Sequence, residues 1–250
     1  MDAVLREFAL RQGDNALILG HRLSEWCGHA PALEEDIAVA NCALDLIGQT
    51  QMWLGLAADV QGDTTADALA YHRDAQDFRN LLLVEQPNGH FGTTMMRQFL
   101  FDAFQIDHLE ALMQSQDRRV ADIAAKSHKE ARYHYERSRT TVIALGDGTP
   151  ESQAKMQAAL DDLWPFVGEM FVSDAHDAEL AERQIAPLPS HMKAAWMDKV
   201  HEVMALATLQ VPQSDFGHLG GRNGTRHTEH LSHLLAVMQV LPRSHPDAVW

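Results

Sequence analysis

TTMMRQFLFDAFQIDHLEALMQS (93–115), followed past Gln116 by DRRVADIAAKSHKEARYHYERSRTTVIAL (117–145), decides the fold. At about 100° per residue, Met95, Phe99, Asp102, Ile106, Leu109 and Met113 fall on one narrow stripe of the first segment. Val120, Ala124, Ser127, Ala131, His134, Ser138, Thr141 and Leu145 do the same in the second. A period of 3.6 held over so many turns is the signature of long amphipathic helices, and their short connection makes them neighbours.

The same pattern extends outward. Helices are expected over about Ala3–Cys27 and Ala32–Val60, separated by the Gly28–Pro31 break and stopped at Gly62. The second of these is apolar nearly all round, with Asn41, Asp45 and Gln49 as exceptions, which predicts a central helix. Residues 63–90 read as short pieces. Thr149-Pro150-Glu151 is a helix start, because Thr caps, Pro suits the first turn and Glu favours the positive end. That helix is expected to reach about Phe171. Shorter helices follow over Asp174–Gln184, His191–Leu209 and Thr228–Val240, with a glycine-rich loop over 212–226. The prediction is an all-α helical bundle with additional short helices, forming a single domain over 1–250.

Composition narrows the function classes. Acids outnumber bases by 35 to 20, for a net charge of −15. A nucleic-acid or anionic-membrane partner needs a basic face, so neither is expected. Cys27 and Cys42 form no CxxC pair and sit among apolar residues, which predicts buried free thiols in a reducing compartment. The N-terminus lacks a basic segment followed by an apolar one, and no uncharged apolar run reaches about 18 residues. A cytoplasmic location is expected.

Polar residues inside the apolar stripes carry the chemical argument. Asp102 lies mid-stripe, Asp45 lies on the most apolar helix, His134 faces the core, and Glu130 flanks it one turn earlier. A carboxylate taken out of water must be paired, hydrogen-bonded, protonated or metal-bound. In helical bundles a dimetal centre draws on a Glu from each of two helices and a Glu-x-x-His from each of two others. No Glu in this chain has a His three residues on. The Asp-x-x-His pairs are Asp198/His201, which points away from the Met192–Trp196–Val203 stripe, and Asp215/His218, in the glycine-rich loop. Asp45, Asp102, Glu130 and His134 therefore read as a buried, metal-free polar network with His134 as the pairing cation. Retention of a metal is the alternative. His227, His230 and His233 read as a polar helix start, with a surface metal cluster as the other possibility. No nucleophile elbow, P-loop or dinucleotide fingerprint is present.

The segments GDNALILGHRLSEWCGHAPALEEDIAVANCALDLIGQ (13–49), NLLLVEQPNGHF (80–91), KEARYHYERS (129–138) and RNGTRHTEHLSHLLAVMQ (222–239) closely resemble the C-component family of the bacterial phenylacetyl-CoA epoxidase. That enzyme is a multicomponent ring monooxygenase of aerobic phenylacetate breakdown. The resemblance spans essentially the whole chain. It implies a ferritin-like fold and a non-catalytic structural role beside a related catalytic partner, the A component, which holds the di-iron centre. It also implies further members of the complex, including a reductase with flavin and an iron–sulfur cluster, and no cofactor or catalytic residue in this chain. The missing Glu-x-x-His pairs point the same way from the residues alone.

The resemblance further implies that two segments help form the site for the phenylacetyl-CoA ester. These are Asp77-Phe78-Arg79-Asn80 and Ala178-Glu179-Leu180. Arg79 suits a phosphate and Phe78 an adenine face, whereas Glu179 would have to meet a hydroxyl or amine. The plain alternative for both is ordinary surface connecting helices. An independent ferritin-like metal-binding or oxidase protein is the competing reading of the chain as a whole.

Overall fold

The structure, a computed structural model, describes residues 2–214, 216–246 and 248; Asp215, of the second Asp-x-x-His pair, lies outside them. Among the described residues every regular element is helical. The α-helices are α1 (Ala3–Ser24), α2 (Leu33–Gln61), α3 (Ala66–Tyr71), α4 (Leu82–Glu85), α5 (Phe91–Leu112), α6 (Arg118–Gly146), α7 (Pro150–Leu163), α8 (Ala175–Glu182), α9 (Lys193–Leu206), α10 (Glu229–Met238) and α11 (Val240–Ser244). The all-α class expected from the stripes is the fold found, in keeping with the ferritin-like fold that the resemblance implies. The chain forms two compact units, one of residues 1–87 with 219–250 and the other of residues 88–218.

In the first unit α1 and α2 make an antiparallel hairpin. Arg6 donates to Gln61 at 2.7 Å at one end, Phe8 packs edge-on against Trp53 at 5.8 Å, and Gly20 lies against Ala43 and Leu46 near the other. Gly13 sits at the closest approach, where an added Cβ would stand 2.6 Å from the Leu54 side chain and 3.3 Å from its backbone nitrogen. The helix ends as the sequence predicts, with Gly62 left-handed at φ 89° and its N–H on the Ala58 carbonyl. The connecting segment 72–81 and the tail are tied together by Gln239, whose amide donates to the carbonyls of Ala70 and Arg73 at 3.1 and 3.0 Å.

The expectation of a central α2 is not met. One side of the helix buries Val39, Cys42, Leu46, Trp53, Leu54 and Leu56, while Leu33, Ile37 and Leu44 on the other side stand 72%, 54% and 69% exposed. Apolar character all round marked a helix with two apolar faces, and only one of them is covered within this chain. Cys42 is buried as expected, whereas Cys27 is exposed, because α1 ends at Ser24 and Cys27 falls in the turn beyond it.

In the second unit α5 and α6 form the other long hairpin. The α6 stripe is buried at Val120, Ala124, Ser127, Ala131, His134 and Ser138 and fades at Thr141 and Leu145. The helix opening at Pro150 stops at Leu163, short of Phe171. Pro165 lacks the N–H a helix interior needs, and the chain continues as 3-10 turns at Trp164–Phe166 and Gly168–Phe171. The break is useful to packing. It brings Trp164 and Phe171 to 5.8 and 5.1 Å from Trp196 of α9, whose indole donates to the Leu100 carbonyl of α5 at 2.9 Å. Phe171 also meets Phe104 of α5 edge-on. Met192, Trp196 and Val203 are buried, and Asp198 and His201 lie on the exposed side of α9.

Candidate functional site

Two clusters of buried polar groups stand out, one in each unit. The first surrounds residues 73–85. Asp14 and Asn15 are adjacent on α1, and both are buried. Asp14 accepts from the Arg79 N–H at 2.8 Å and from Arg73 Nη1 at 2.9 Å, and its other oxygen meets Arg73 Nη2. Asn15 Oδ1 accepts from the Leu81 N–H at 2.8 Å. A helix thus presents side chains to peptide N–H groups that no helix or strand satisfies, which fixes an irregular segment in place.

Glu85 is the second anchor and is wholly buried. One carboxylate oxygen accepts from Asn80 Nδ2 at 2.9 Å and His227 Nδ1 at 2.8 Å, and the other from the Thr228 N–H at 2.6 Å. The second His227 nitrogen stands 3.2 Å from the Phe78 carbonyl, so both ring nitrogens face oxygen atoms. The Glu85 carbonyl accepts twice from the Arg22 guanidinium, which also reaches the His230 carbonyl. Gly221 completes the joint. A Cβ there would stand 2.4 Å from the Asn80 carbonyl oxygen, so only glycine lets the loop lie against residues 80–82.

This geometry fixes what each residue of the 77–80 segment offers. Asp77 is exposed and closes a capping box with Asp74. Phe78 is fully buried, with the Arg73 guanidinium 4.3 Å above its ring, so the face an adenine would need is already covered. Arg79 is partly exposed; its guanidinium donates to the carbonyls of Gln76 and Phe78 and stands 3.3 Å from Glu7. Asn80 is fully buried and spends its amide on Leu81 and Glu85. In the other segment Ala178 and Glu179 are exposed, Leu180 is buried, and Glu179 pairs with Arg183 one turn on.

The second cluster centres on Asp102 of α5. Its two oxygens accept from Gln98 Nε2 at 2.7 Å and Ser138 Oγ at 2.8 Å. Burial pushes its carboxyl up to about 6, opposed by the charges of His134 and Arg137 and by the two hydrogen bonds. Of the four residues expected in one network, His134 acts on Asp102 through its charge, and both are buried. Glu130 is only half-buried on the flank of α6, and Asp45 is half-buried on α2 in the other unit.

Sequence reasoning missed Gln98 and Ser138. Gln98 stands one helical turn before Asp102, and Ser138 is the next stripe position after His134, so both were findable. It also missed Asp14, Glu85 and His227. His227 turns inward to Glu85 instead of joining His230 and His233 at a surface cluster.

A dimetal centre fits these residues poorly. Among the described residues no three His, Cys, Asp or Glu side chains gather at metal-holding distance. Both oxygens of the one fully buried stripe carboxylate are already engaged by an amide and a hydroxyl. No helix among the described residues is long and apolar enough to cross a membrane.

The sequence model of the family described as Phenylacetic acid catabolic protein matches residues 2–250. The chain belongs to that family. It is 48% identical over 246 residues to the C component of the 1,2-phenylacetyl-CoA epoxidase of Escherichia coli (strain K12), covering 98% of this chain and 99% of that protein. The family match takes in both compact units.

Proposed function

We propose that this chain is the non-catalytic subunit of a phenylacetyl-CoA epoxidase in aerobic phenylacetate catabolism, acting in the cytoplasm as one ferritin-like domain over 1–250. It supports a catalytic partner that holds the di-iron centre, within a complex served by a flavin and iron–sulfur reductase. The observation that carries this reading is the near-full-length identity to the Escherichia coli C component. The donor set around Asp102 supports the non-catalytic part. Gln98 and Ser138 donate to its two oxygens, and neither is the carboxylate or imidazole that a metal-holding bundle needs.

For the CoA ester, we propose that Asp77 and Arg79 meet the substrate's polar portion, with Ala178 and Glu179 of the other segment contributing. Phe78, Asn80 and Leu180, all buried, hold these residues in position. Arg79 keeps part of its guanidinium in solvent, which supports a charge-assisted contact with a phosphate.

The test is co-expression with the di-iron partner, followed by an oxygen- and reductant-dependent assay on phenylacetyl-CoA. The pair turns over and the isolated chain does not. Two equivalents of iron or manganese in the isolated, untagged chain, with oxidase activity, would overturn the reading.

A further inference from the structure

The outer face of α2 is unlike the rest of the surface. Ile37, Asn41, Leu44, Gly48, Gln51 and Gly55 follow one another at alternating steps of four and three residues, the spacing that keeps one seam of a helix facing a partner helix. Ile37, Asn41, Leu44 and Gln51 are exposed, and Leu33 extends the line at the N-terminal end. Exposed leucine and isoleucine scattered singly need no explanation, but a seam of them along one rod marks an interaction surface.

The two glycines are the telling residues. Glycine in a helix interior weakens the helix relative to alanine, so it persists there for a reason. At Gly13 the reason is internal, since a Cβ would strike Leu54. At Gly48 and Gly55 a Cβ would meet nothing within 4 Å among the described residues. Nothing among the described residues requires a bare Cα at either place. Flush backbone on an outward seam admits the close approach of something outside.

Charge selects what that something is. Between residues 33 and 61 the helix carries Glu34, Glu35, Asp36, Asp45 and Asp59, with no Lys, Arg or His. A second copy laid antiparallel, with Leu44 opposite Gly48, would bring acid to acid at Asp45. A basic-flanked helix meets the opposite charge at residues 34–36, at Asp45 and at Asp59.

We propose that the outer face of α2 docks an amphipathic helix of a different polypeptide, one with bulky apolar side chains opposite Gly48 and Gly55 and Lys or Arg along its flanks. The inference rests on the reading of this chain as a partner-binding protein, and names the surface that reading leaves open.

The experiment uses the full chain, with the co-expressed di-iron partner as probe. Leu44 is exposed and Gly48 has open space beyond its Cα, so Leu44→Asp keeps the wild-type circular dichroism and melting temperature, and Gly48→Leu keeps the circular dichroism without lowering the melting temperature. Each weakens association at least tenfold, and rising salt weakens the wild-type complex. Gly48→Ala raises the melting temperature of the isolated chain yet loosens the complex, a pair of opposite effects that a purely internal role does not produce. Wild-type affinity in all three variants overturns the assignment of this face and leaves the partner-binding reading standing. Failure of the wild-type chain to associate overturns that reading and this one with it. A homodimer of the isolated chain that Leu44→Asp dissolves overturns the choice of a heterologous, basic partner.

Discussion

The two units bury acids in opposite ways. In the first, Asp14 meets the guanidinium of Arg73, and Glu85 meets His227 and a peptide N–H. In the second, Asp102 accepts from an amide and a hydroxyl, and the charges of His134 and Arg137 also act on it. Burial outweighs these groups together, and the Asp102 carboxyl is pushed up to about 6. The charged joint pins an irregular segment whose backbone has no ladder to join. The neutral one lies between two regular helices that need no such pin. A buried acid thus has one role where the chain must be held in an unusual path and another where it interrupts an apolar seam.

The largest effect is expected at the charged joint. Arg73→Met leaves Asp14 buried without its cation and removes the cover of the Phe78 ring, so it costs about 3–5 kcal/mol in denaturant unfolding. Asp14→Asn/Arg73→Met together should recover part of that loss, and a double variant no better than the single one would break the contrast between the units. Glu85→Gln turns an amide N–H toward groups that themselves donate, and costs roughly 1–3 kcal/mol. Its local mark is faster hydrogen exchange over 219–228, the loop whose path Thr228 and His227 fix.

The neutral joint is sharpened by pH. The folded-state value for Asp102 is about 6 against an ordinary 3.8, so between these the folded chain binds the extra proton. Its contribution to stability is therefore lost as pH rises from about 4 to about 6 and is flat above, for a total of ~3 kcal/mol. Asp102→Asn keeps an acceptor for Gln98, while its amide can donate to Ser138 Oγ, whose own proton turns to the Tyr135 carbonyl. That variant should gain on the wild type as pH rises through this window. Parallel stability profiles for the two proteins would show that Asp102 does not titrate as its burial demands.

Much of this was readable in the residues. The long helices and the burial of Asp102 and His134 follow from a 3.6 period, because a stripe states which side chains share a face. The helix end at Gly62 follows from local stereochemistry. Three features were not readable. Pro165 is visible as a breaker, yet that the chain resumes in 3-10 turns depends on the aromatic contacts of Trp164 and Phe171 with Trp196, which no local rule supplies. The Glu85–His227 pair joins residues 142 positions apart, and a short apolar string around Glu85 gives no sign of its partner. The outward face of α2 was legible as apolar but misread as core, since hydropathy alone does not distinguish a surface covered by the same chain from one awaiting another.

The smallest expected effect bears on that last distinction. Gly55 lies one heptad beyond Gly48 on the outward seam, with no atom of the described residues within 4 Å of its missing Cβ, whereas Gly13 faces Leu54 across the α1–α2 contact. Gly55→Ala should stabilise the isolated chain by about 0.4–1 kcal/mol, because alanine loses less backbone freedom on folding and meets no obstacle. Gly13→Ala should destabilise it by roughly 1–3 kcal/mol, because the added methyl forces Leu54 aside in a packed interior. The same chemical change thus takes opposite signs on the two sides of one helical hairpin. Equal signs in thermal melts would mean that α2 is covered on both faces by its own chain.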